Sequence, residues 1–454
     1  MNRCNYLFMK TREASIQTHL LAYGPQTAIQ LAKASGVSRP TISRALNQVP
    51  GLVRIGKGPS STYGLANPIA DLGCEWPLYL IDEQGSPEQV GTLTSLAPRT
   101  WHLDKISSNA WGSLSDIQFS NGLYPDLPWF LDDVKPQGFL GRAFAKKYGH
   151  LLKEGSNPVN WSSAAVAEAL LRYGGDLPGA FVLGKDALRE ALKPQLSIVV
   201  KERESKYPAL AAAVLEGDVW GSSAAGEQPK FTTTILRGET TEAVIVKFSG
   251  PRINPANERW ADLLAAEHLA GTVLSEAGFP VAQSCIIDAG DRRFLEIKRF
   301  DRTSQGGRVP VVSLRAIDAA FIGTGSGLWS AVSDDLLREN WITETDASTL
   351  AALGRFGTMI SNSDMHYGNV SFILNRQKPL QLAPSYDMLP MGLRPNIEGT
   401  VPMETSLDLG PSIDVQIRDL AKEFWNRVSE SSLVTTNFQQ IAVRQANRIK
   451  KIGR

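Results

Sequence analysis

The chain has 454 residues, of which 43% are hydrophobic and 20% are charged, the composition of an ordinary globular protein with room for two or three domains. Three widely separated cysteines, Cys4, Cys74 and Cys285, exclude a disulfide framework and a metal-binding spacing. The first twelve residues are a poor signal peptide, and no run approaches the roughly 18 apolar residues of a membrane span. We therefore expect a cytoplasmic protein without a membrane partner.

Charge is distributed unevenly along the chain. Residues 1–66 contain eight basic side chains and one acidic side chain, a net charge of +7, whereas the whole chain carries +1. The remaining residues therefore sum to −6. A small basic domain attached to a mildly acidic body predicts that the first part contacts a polyanion.

Residues 1–70 are predicted to form a winged helix-turn-helix that binds DNA. After a helix around Ile16–Leu21, Thr27 can cap a second helix and Gly36 permits the turn into a third. Two short strands around a Gly/Pro/Ser turn then form the wing. The side chains expected to meet DNA are Ser38, Arg39, Thr41, Ser43, Arg44, Arg54 and Lys57. The alternative is a small helical domain used for dimerisation or as a cap on its neighbour.

Residues 71–300 are predicted to be rich in β-strands. Strands are expected at Leu78–Ile81 and Gly91–Leu93, and a helix at Trp161–Tyr173, capped by Ser162 or Ser163. A loop of small residues follows at Gly221–Lys230, and its backbone N–H groups could approach phosphates. The loop residues proposed to contact a nucleotide are Ser222, Ser223, Ala225, Gly226 and Lys230. The alternative is a simple connection.

A hairpin of strands Thr233–Leu236 and Ala243–Phe248 places Lys247 among β-branched apolar residues. A lysine there is either an edge residue in solvent or, in a kinase-like site, a ligand of nucleotide phosphates. Its usual partner is a glutamate on the following helix, predicted from Pro255 to Ala277. Glu267 lies on the apolar stripe of that helix and needs a partner, and Glu258 is the second candidate.

Strands at Cys285–Asp288 and Arg293–Ile297 lead to the segment Lys298–Arg302, where a hinge between two lobes is expected. From residue 301 to 454 helices dominate. Together with the N-terminal domain, this pattern predicts an α+β protein with a β-rich N-lobe and a helical C-lobe.

The strongest chemical signal is the combination of Asp364, Asn369 five residues later, and Asp387 after a predicted hairpin. Protein-kinase-like sites use this order: one Asp orients the acceptor hydroxyl, and the Asn and the second Asp hold Mg²⁺. The hairpin, with strands at Val370–Leu374 and Leu380–Leu382, brings all three to one end of a rigid element. His366 lies between them and could orient the loop or touch the phosphates. The alternative is a polar loop capped by Asp and Asn.

In this order, the loop, strand lysine, helix glutamate, R-F-D-R hinge, S-D-x-H-x-x-N loop and Y-D-x-L-P motif resemble the HipA family of bacterial serine/threonine kinases, known as toxins of toxin–antitoxin modules. The resemblance covers roughly residues 75 to 430. Typical members of the family leave DNA binding to a separate antitoxin. A chain that carries its own winged helix has a layout similar to that of the YjjJ-like subgroup.

The resemblance implies a role for each matching residue. Asp364 would be catalytic with His366 beside it, and Asn369 and Asp387 would hold Mg²⁺. Lys247 would bind ATP, and Lys298, Phe300 and Asp301 would contribute to the hinge that holds adenine and ribose, although the family often has Glu at the position of Lys298. Ser223 matches an autophosphorylation site. The implied partners are ATP, Mg²⁺, DNA, a protein substrate such as a translation factor or aminoacyl-tRNA synthetase, and an antitoxin; the oligomeric state, with a homodimer as one option, stays open.

Three functions compete. The first is an ATP- and Mg²⁺-dependent protein serine/threonine kinase of toxin type with a fused DNA-binding domain that could also regulate its own transcription. The second is a DNA-binding regulator whose kinase-like body is a ligand sensor. The third is a small-molecule kinase, which also uses an Asp, an Asn five residues later and a further Asp. The intact set of Lys247, Asp364, Asn369 and Asp387 favours an enzyme over a sensor.

Overall fold

A computed structural model describes residues 3–105, 117–119, 121–215, 228–325, 327–405 and 414–451, with backbone only at residues 3–12, 105 and 117. Its secondary structure is mixed α+β, with four sheets in the described ranges. No helix within these ranges is both long and apolar enough to cross a membrane.

The N-terminal unit consists of helices and one small antiparallel sheet of order β1-β3-β2. Its elements are α1 (Arg3–Tyr23), β1 (Gln26–Thr27), α2 (Ala28–Ser35), α3 (Arg39–Leu46), β2 (Leu52–Ile55) and β3 (Thr62–Leu65). Thr27 begins α2 with the predicted cap, because its side chain accepts from the N–H of Gln30 and the Gln30 side chain accepts in return from the N–H of Thr27. Gly36 ends α2 at φ +67°, a left-handed conformation that glycine adopts without strain. Ile42 and Leu46 of α3 are buried against α1 and α2.

This unit is docked on the next one through its last strand. The N–H of Asn67 donates to the carbonyl of Ser95 at 2.9 Å, and the N–H of Ala97 donates to that of Leu65 at 2.8 Å. Ala97 also belongs to the hydrophobic core of the N-terminal unit. A fragment ending at residue 66 would therefore lose part of its own core.

The middle unit is built on an antiparallel sheet of order β7-β6-β5-β4-β8. Its elements are β4 (Glu75–Ile81), β5 (Pro87–Leu96), β6 (Thr100–Lys105), β7 (Leu123–Tyr124), α4 (Gly138–Tyr148), α5 (Ser163–Tyr173), β8 (Phe181–Leu183) and α6 (Lys185–Ala191). Both predicted strands lie within β4 and β5, and Ser162 is the cap of α5. A 3₁₀ turn, Trp129–Val134, precedes α4, and its aromatic side chains are buried.

A second five-stranded sheet, of order β12-β13-β11-β10-β9, forms the following unit. Its elements are β9 (Ser197–Val199), α7 (Arg203–Leu215), β10 (Lys230–Arg237), β11 (Thr240–Phe248), α8 (Pro255–Glu276), β12 (Ser284–Ala289) and β13 (Arg292–Lys298). The stretch 71–300, treated above as one β-rich lobe, thus contains two separate sheets. The second sheet has its own small aromatic core, which includes Tyr207, Phe231, Phe248 and Phe294.

The C-terminal unit is mainly helical, as predicted, and carries a three-stranded sheet of order β14-β15-β16. Its elements are β14 (Val311–Ser313), α9 (Leu314–Ile317), α10 (Trp329–Arg338), α11 (Glu344–Met359), β15 (Ser371–Ile373), β16 (Gln381–Leu382), α12 (Val415–Glu430) and α13 (Thr436–Lys451). The predicted hairpin is the antiparallel pair β15–β16. One continuous hydrophobic core joins this unit to the middle sheet.

Candidate active site and N-terminal surface

The candidate site, called the cleft below, lies where β11 and α8 meet the loop after β16, and its centre is a buried ion-pair cluster around Lys247. Only 5% of this residue's surface is exposed, and its ammonium group donates to both carboxylate oxygens of Glu267, at 2.6 and 2.8 Å. Glu267 projects from α8 and is itself buried. Of the two candidate partners, Glu267 therefore contacts Lys247, whereas Glu258 lines a separate pocket with Arg252 and Asp262.

Asp387 completes the cluster from the loop after β16. Its carboxylate contacts the Lys247 ammonium, and its backbone adopts φ +56°, a left-handed conformation that is uncommon for any residue other than glycine. Such strain persists only where the surroundings enforce it, and it is concentrated at functional sites. Here the side-chain amide of Asn362 donates to the Asp387 carbonyl at 3.3 Å.

Burial and mutual attraction together set the pKa values in this cluster. Burial would raise the pKa of the Asp387 carboxyl, but the positive charges of Lys247 and Lys230 lower it to about 2. Burial also opposes the charged form of Lys247, yet the carboxylates of Asp387 and Glu267 outweigh it and raise the lysine pKa. For Glu267, burial raises the carboxyl pKa and the attraction of Lys247 offsets this in part. Lys230 lies directly opposite Lys247 in the β10–β11 ladder, so two lysines face this pair of acids.

The loop that enters β15 carries Asp364, His366 and Asn369. The Asn369 side-chain amide donates to the Asp364 carbonyl at 2.8 Å, and His366 Nδ1 accepts from the N–H of Gly368 at 3.1 Å. These contacts fix the shape of the loop through its backbone. Within the described part of the chain, no hydrogen bond or ion pair engages the Asp364 carboxylate or the Asn369 amide oxygen, which leaves both available to a ligand.

Two residues that the sequence analysis did not select join this loop to the Asp387 segment. Asn362 Oδ1 accepts from the N–H of Asp364 at 3.1 Å, while its amide nitrogen reaches Asp387. Tyr386 donates to the Gly368 carbonyl at 3.0 Å. The sequence signal that could have found them is their position, since Asn362 lies two residues before Asp364 and Tyr386 directly precedes Asp387. The structure thus brings Lys230, Lys247, Glu267, Asp364, His366, Asn369 and Asp387 together around one cleft.

Two of the predicted hinge residues, Asp301 and Lys298, take part in ion pairs. The Asp301 carboxylate accepts from Arg299 at 2.9 and 2.8 Å, from Arg302 at 2.8 Å and from the N–H of Gly179 at 2.9 Å. Both of its oxygens therefore belong to an ion-pair cluster that includes the middle unit, and the ribose contact implied for this side chain stays a prediction. Lys298 is 43% exposed and pairs with Glu242 at 3.1 Å, on the surface of the sheet.

The third hinge residue lies at the cleft. The Phe300 ring packs 5.8 Å from the Tyr386 ring, next to Asp387. The loop residues Ser222, Ser223, Ala225 and Gly226 lie outside the described residues.

A bound Mg²⁺ is implied by the resemblance, and the donor set fits it. Within the described ranges no group of three His, Cys, Asp or Glu side chains could form a protein-only metal cage. Mg²⁺ in phosphoryl-transfer sites needs only one or two carboxylates, because substrate phosphates and water supply the other oxygens. The Asp387 carboxylate and the Asn369 amide oxygen provide suitable hard ligands.

The N-terminal unit presents a separate basic surface. Arg39, Ser43 and Arg44 of α3 are exposed, together with Lys57 beyond β2. Arg39 donates to the Pro59 carbonyl at 2.8 Å, which ties α3 to the turn between β2 and β3.

The remaining predicted contact residues lie on the same unit. The Ser38 and Thr41 hydroxyls are 2.9 Å apart at the start of α3. The exposed Arg54 donates to the Ser61 hydroxyl at 3.1 Å in the turn after β2. The two elements predicted to meet DNA are thus held side by side.

Comparison with known proteins assigns the middle and C-terminal parts of the chain to known domain families. The model of the YjjJ-like toxin middle domain matches residues 72–192, and that of the HipA-like C-terminal domain matches residues 222–451. Toxin YjjJ of Escherichia coli (strain K12) is 32% identical over 443 residues, which cover 96% of this chain and 97% of that protein. This chain belongs to the YjjJ-like HipA family.

A solved HipA structure shares the family fold. HipA from Shewanella oneidensis MR-1, solved with HipB and its operator DNA, covers 82% of this YjjJ-like chain and 95% of its own at a TM-score of 0.55 and 15% identity. A second solved structure, the Helicobacter pylori proinflammatory kinase CtkA, covers 49% of the chain at a TM-score of 0.32. At 15% identity the HipA match establishes the fold alone, so the chemistry must be argued from the site of this chain.

Proposed function

We propose that this YjjJ-like protein is an ATP- and Mg²⁺-dependent protein serine/threonine kinase of toxin type. The observation that carries the proposal is the buried Lys247–Glu267–Asp387 cluster together with the Asp364 carboxylate, which no residue in the described ranges engages. A lysine held by a helix glutamate, next to a metal-binding Asp, is the arrangement that protein kinases use for nucleotide phosphates.

Each residue has a distinct task in this proposal. Lys247 and Lys230 would bind phosphate oxygens, and Glu267 keeps Lys247 charged and oriented. Asp387 and Asn369 would hold Mg²⁺, which neutralises charge on the phosphates when it is bound. Asp364 would orient the acceptor hydroxyl, with His366 beside it. Phosphoryl transfer requires little more from a protein than this positioning.

The competing functions make different demands on these residues. The described residues leave the Asp364 carboxylate without a partner. An enzyme needs such a free carboxylate to orient the acceptor, whereas a ligand sensor does not. A small-molecule kinase would need the same residues and differs in its acceptor. We favour a protein acceptor because the chain belongs to a toxin family. A translation factor or an aminoacyl-tRNA synthetase in the cytoplasm is a target by analogy.

Labelled ATP tests the proposal. Purified full-length protein is incubated with γ-labelled ATP and Mg²⁺, alone and with a cell lysate, and compared with a sample containing EDTA. We expect Mg²⁺-dependent label on serine or threonine of protein. Absence of transfer with intact ATP binding would favour the sensor, and label found only on small molecules would favour the third function.

We also propose that the N-terminal unit is a winged helix-turn-helix that binds DNA. The support is the +7 charge of residues 1–66 and the exposure of Arg39 and Arg44 on α3 beside a two-stranded wing. The HipA of the solved complex was crystallised with HipB and operator DNA. In this protein the fused unit would contact DNA directly, and an antitoxin partner would bind elsewhere.

Autophosphorylation at Ser223 extends the kinase proposal, with Ser222 as the alternative site. A phosphate adds about −1.5 to −2 charges at pH 7, which would repel nucleotide phosphates and compete for Lys247. Mass spectrometry of wild-type protein and of Asp364→Ala after incubation with ATP and Mg²⁺ measures this. Phosphate on residues 221–230 in the active form alone supports the switch, and an unmodified loop in both forms contradicts it.

A further inference from the structure

The middle unit reaches the cleft through Asp133, at the end of the buried 3₁₀ turn Trp129–Val134. Its two carboxylate oxygens accept from the backbone N–H of Ser313 at 2.5 Å and from the Ser313 hydroxyl at 2.6 Å. Arg315 approaches the same carboxylate at 3.3 Å. One acid of the middle unit thus holds the junction of β14 and α9, 180 residues further along the chain.

The junction is connected directly to the loop that carries Asp364 and Asn369. Ser313 lies opposite Ser371 in the β14–β15 ladder, and the N–H of Leu314 donates to the carbonyl of Val370 at 2.8 Å. Val370 and Ser371 immediately follow Asn369. The position of Ser313 therefore determines where this loop enters β15.

The same contacts continue to the Asp387 segment. The Ser371 and Tyr386 hydroxyls are 2.8 Å apart, and Tyr386 also donates to the Gly368 carbonyl at 3.0 Å. Tyr386 precedes Asp387 in the chain. A continuous path of hydrogen bonds and strand pairing thus runs from Asp133 to both the Asp364 loop and the Asp387 segment.

Packing makes this contact rigid. Trp129, at the start of the 3₁₀ turn, packs edge-to-face on Phe321 at 5.2 Å and on Trp341 at 5.7 Å, both from the C-terminal unit. Because interiors are close-packed, a turn anchored in this way cannot move without displacing its neighbours. Asp133 is therefore presented to Ser313 from a fixed support.

We infer that the middle unit is part of the catalytic apparatus and that Asp133 is a positioning residue for the loop bearing Asp364 and Asn369. This inference rests on the proposed kinase function for its consequence, but its structural content can be measured without any activity. Asparagine at position 133 keeps the size of the side chain but supplies only one oxygen for the two donors of Ser313. The neighbouring Asp132, which pairs with Lys135 at 2.8 Å and approaches Arg315 only at 3.7 Å, is the matched control because it makes no contact with Ser313 among the described residues.

Hydrogen exchange of the full-length protein tests the inference. In Asp133→Asn we expect backbone amides of residues 364–371 to exchange on the order of ten- to hundredfold faster, as expected for the loss of a charge-assisted hydrogen bond, with α13 unchanged. Asp132→Asn should leave this segment as it is. Ser313→Ala removes the hydroxyl bond to Asp133 from the other side while keeping the backbone N–H bond, and it decides the matter if Asp133→Asn does not fold.

Phosphoryl transfer is then measured on the same proteins. We expect Asp133→Asn to lower kcat at least tenfold with little change in KM for ATP, since Lys247 and Glu267 are untouched. Unchanged exchange in residues 364–371, or faster exchange with full activity, would overturn the role of Asp133. If the wild type transfers no phosphate, the kinase proposal fails. The hydrogen-exchange data still test whether Asp133 holds residues 364–371 in place.

Discussion

The cleft and the surface of α3 both concentrate charge, but they hold it in opposite ways. Lys247 is 5% exposed and is neutralised by two carboxylates from different elements. Arg39 and Arg44 are exposed, and their neighbours are carbonyl groups at Pro59 and Pro40. The first arrangement is assembled by folding, whereas the second keeps its charge available for a partner.

This difference has a consequence for mutagenesis. Removing one member of a buried ion pair leaves an uncompensated charge in a low dielectric, so folding and function suffer together. Removing an exposed cation costs little stability but weakens binding to a polyanion in a salt-dependent way. The first three predictions below ask whether a given side chain belongs to the first class or the second.

The largest expected effect is that of Lys247→Met. Glu267 and Asp387 would be left without their shared cation, which should reduce the free energy of unfolding by about 3–5 kcal/mol. Urea denaturation of the full-length protein measures this. Lys298→Met is the control, because the Lys298 side chain is 43% exposed and pairs with one described residue, Glu242, so its loss should cost at most about 1 kcal/mol. Equal costs for the two variants would contradict the distinction.

The second effect concerns acid pH. The pKa of Asp387 is lowered to about 2, so its ionised form stabilises the fold above about pH 4, and this contribution is lost as the pH falls through 2. Asp387→Asn should therefore be less stable than the wild type by about 2 kcal/mol near neutrality, and the difference should shrink between pH 4 and 2. Unfolding curves at stepped pH test this, with the exposed Asp334→Asn as control. A difference that is independent of pH would show that Asp387 is not held by the lysines.

The third effect concerns the exposed positive charge of Arg44 on α3 and its contribution to DNA binding. Arg44→Ala should weaken DNA binding by about 1–3 kcal/mol if the side chain reads a base, with almost no change in unfolding free energy. Duplexes selected from a random pool by the full-length protein provide the probe, and affinity should fall steeply with salt. Arg189→Ala, on the middle unit, is the matched control because it is exposed and paired with Asp186. If the full-length protein selects no duplex at low salt, the N-terminal unit is an interaction module.

The smallest effect is local to the N-terminal unit. Thr27→Ala removes the capping box of α2 and should cost about 1 kcal/mol of stability, without affecting ATP binding. Thr18→Ala is the comparison, since the Thr18 hydroxyl donates to the Ala14 carbonyl at 2.8 Å inside α1 and caps no helix end. Differential scanning calorimetry of both variants measures the difference. A larger loss in Thr18→Ala would mean that the cap does not determine where α2 begins.

Local patterns were enough to predict the ion pair and its supports. The cap at Thr27, the β10–β11 hairpin around Lys247 and the apolar stripe around Glu267 are each encoded by residues that lie close together in the chain. The pairing of β15 with β16 was predictable for the same reason, since both strands flank one short turn.

Contacts between distant segments could not be predicted in this way. The contact between the Asp301 carboxylate and the N–H of Gly179 joins residues 122 positions apart, and it depends on how the middle unit docks. Helix α7 escaped notice because only Tyr207 and Ala211 of its thirteen residues are buried, too few for a clear period. The division of residues 71–300 into two sheets likewise depends on pairing that no local pattern encodes.

The most direct test of the central claim separates binding from transfer at Asp364, the acid that the described residues leave unpaired. Calorimetric titration with ATP and Mg²⁺, followed by transfer from γ-labelled ATP, is carried out on wild type, Asp364→Ala and the exposed control Asp334→Ala. The account predicts that all three bind ATP with similar affinity and that only Asp364→Ala loses phosphoryl transfer. Transfer by Asp364→Ala at the wild-type level would contradict it.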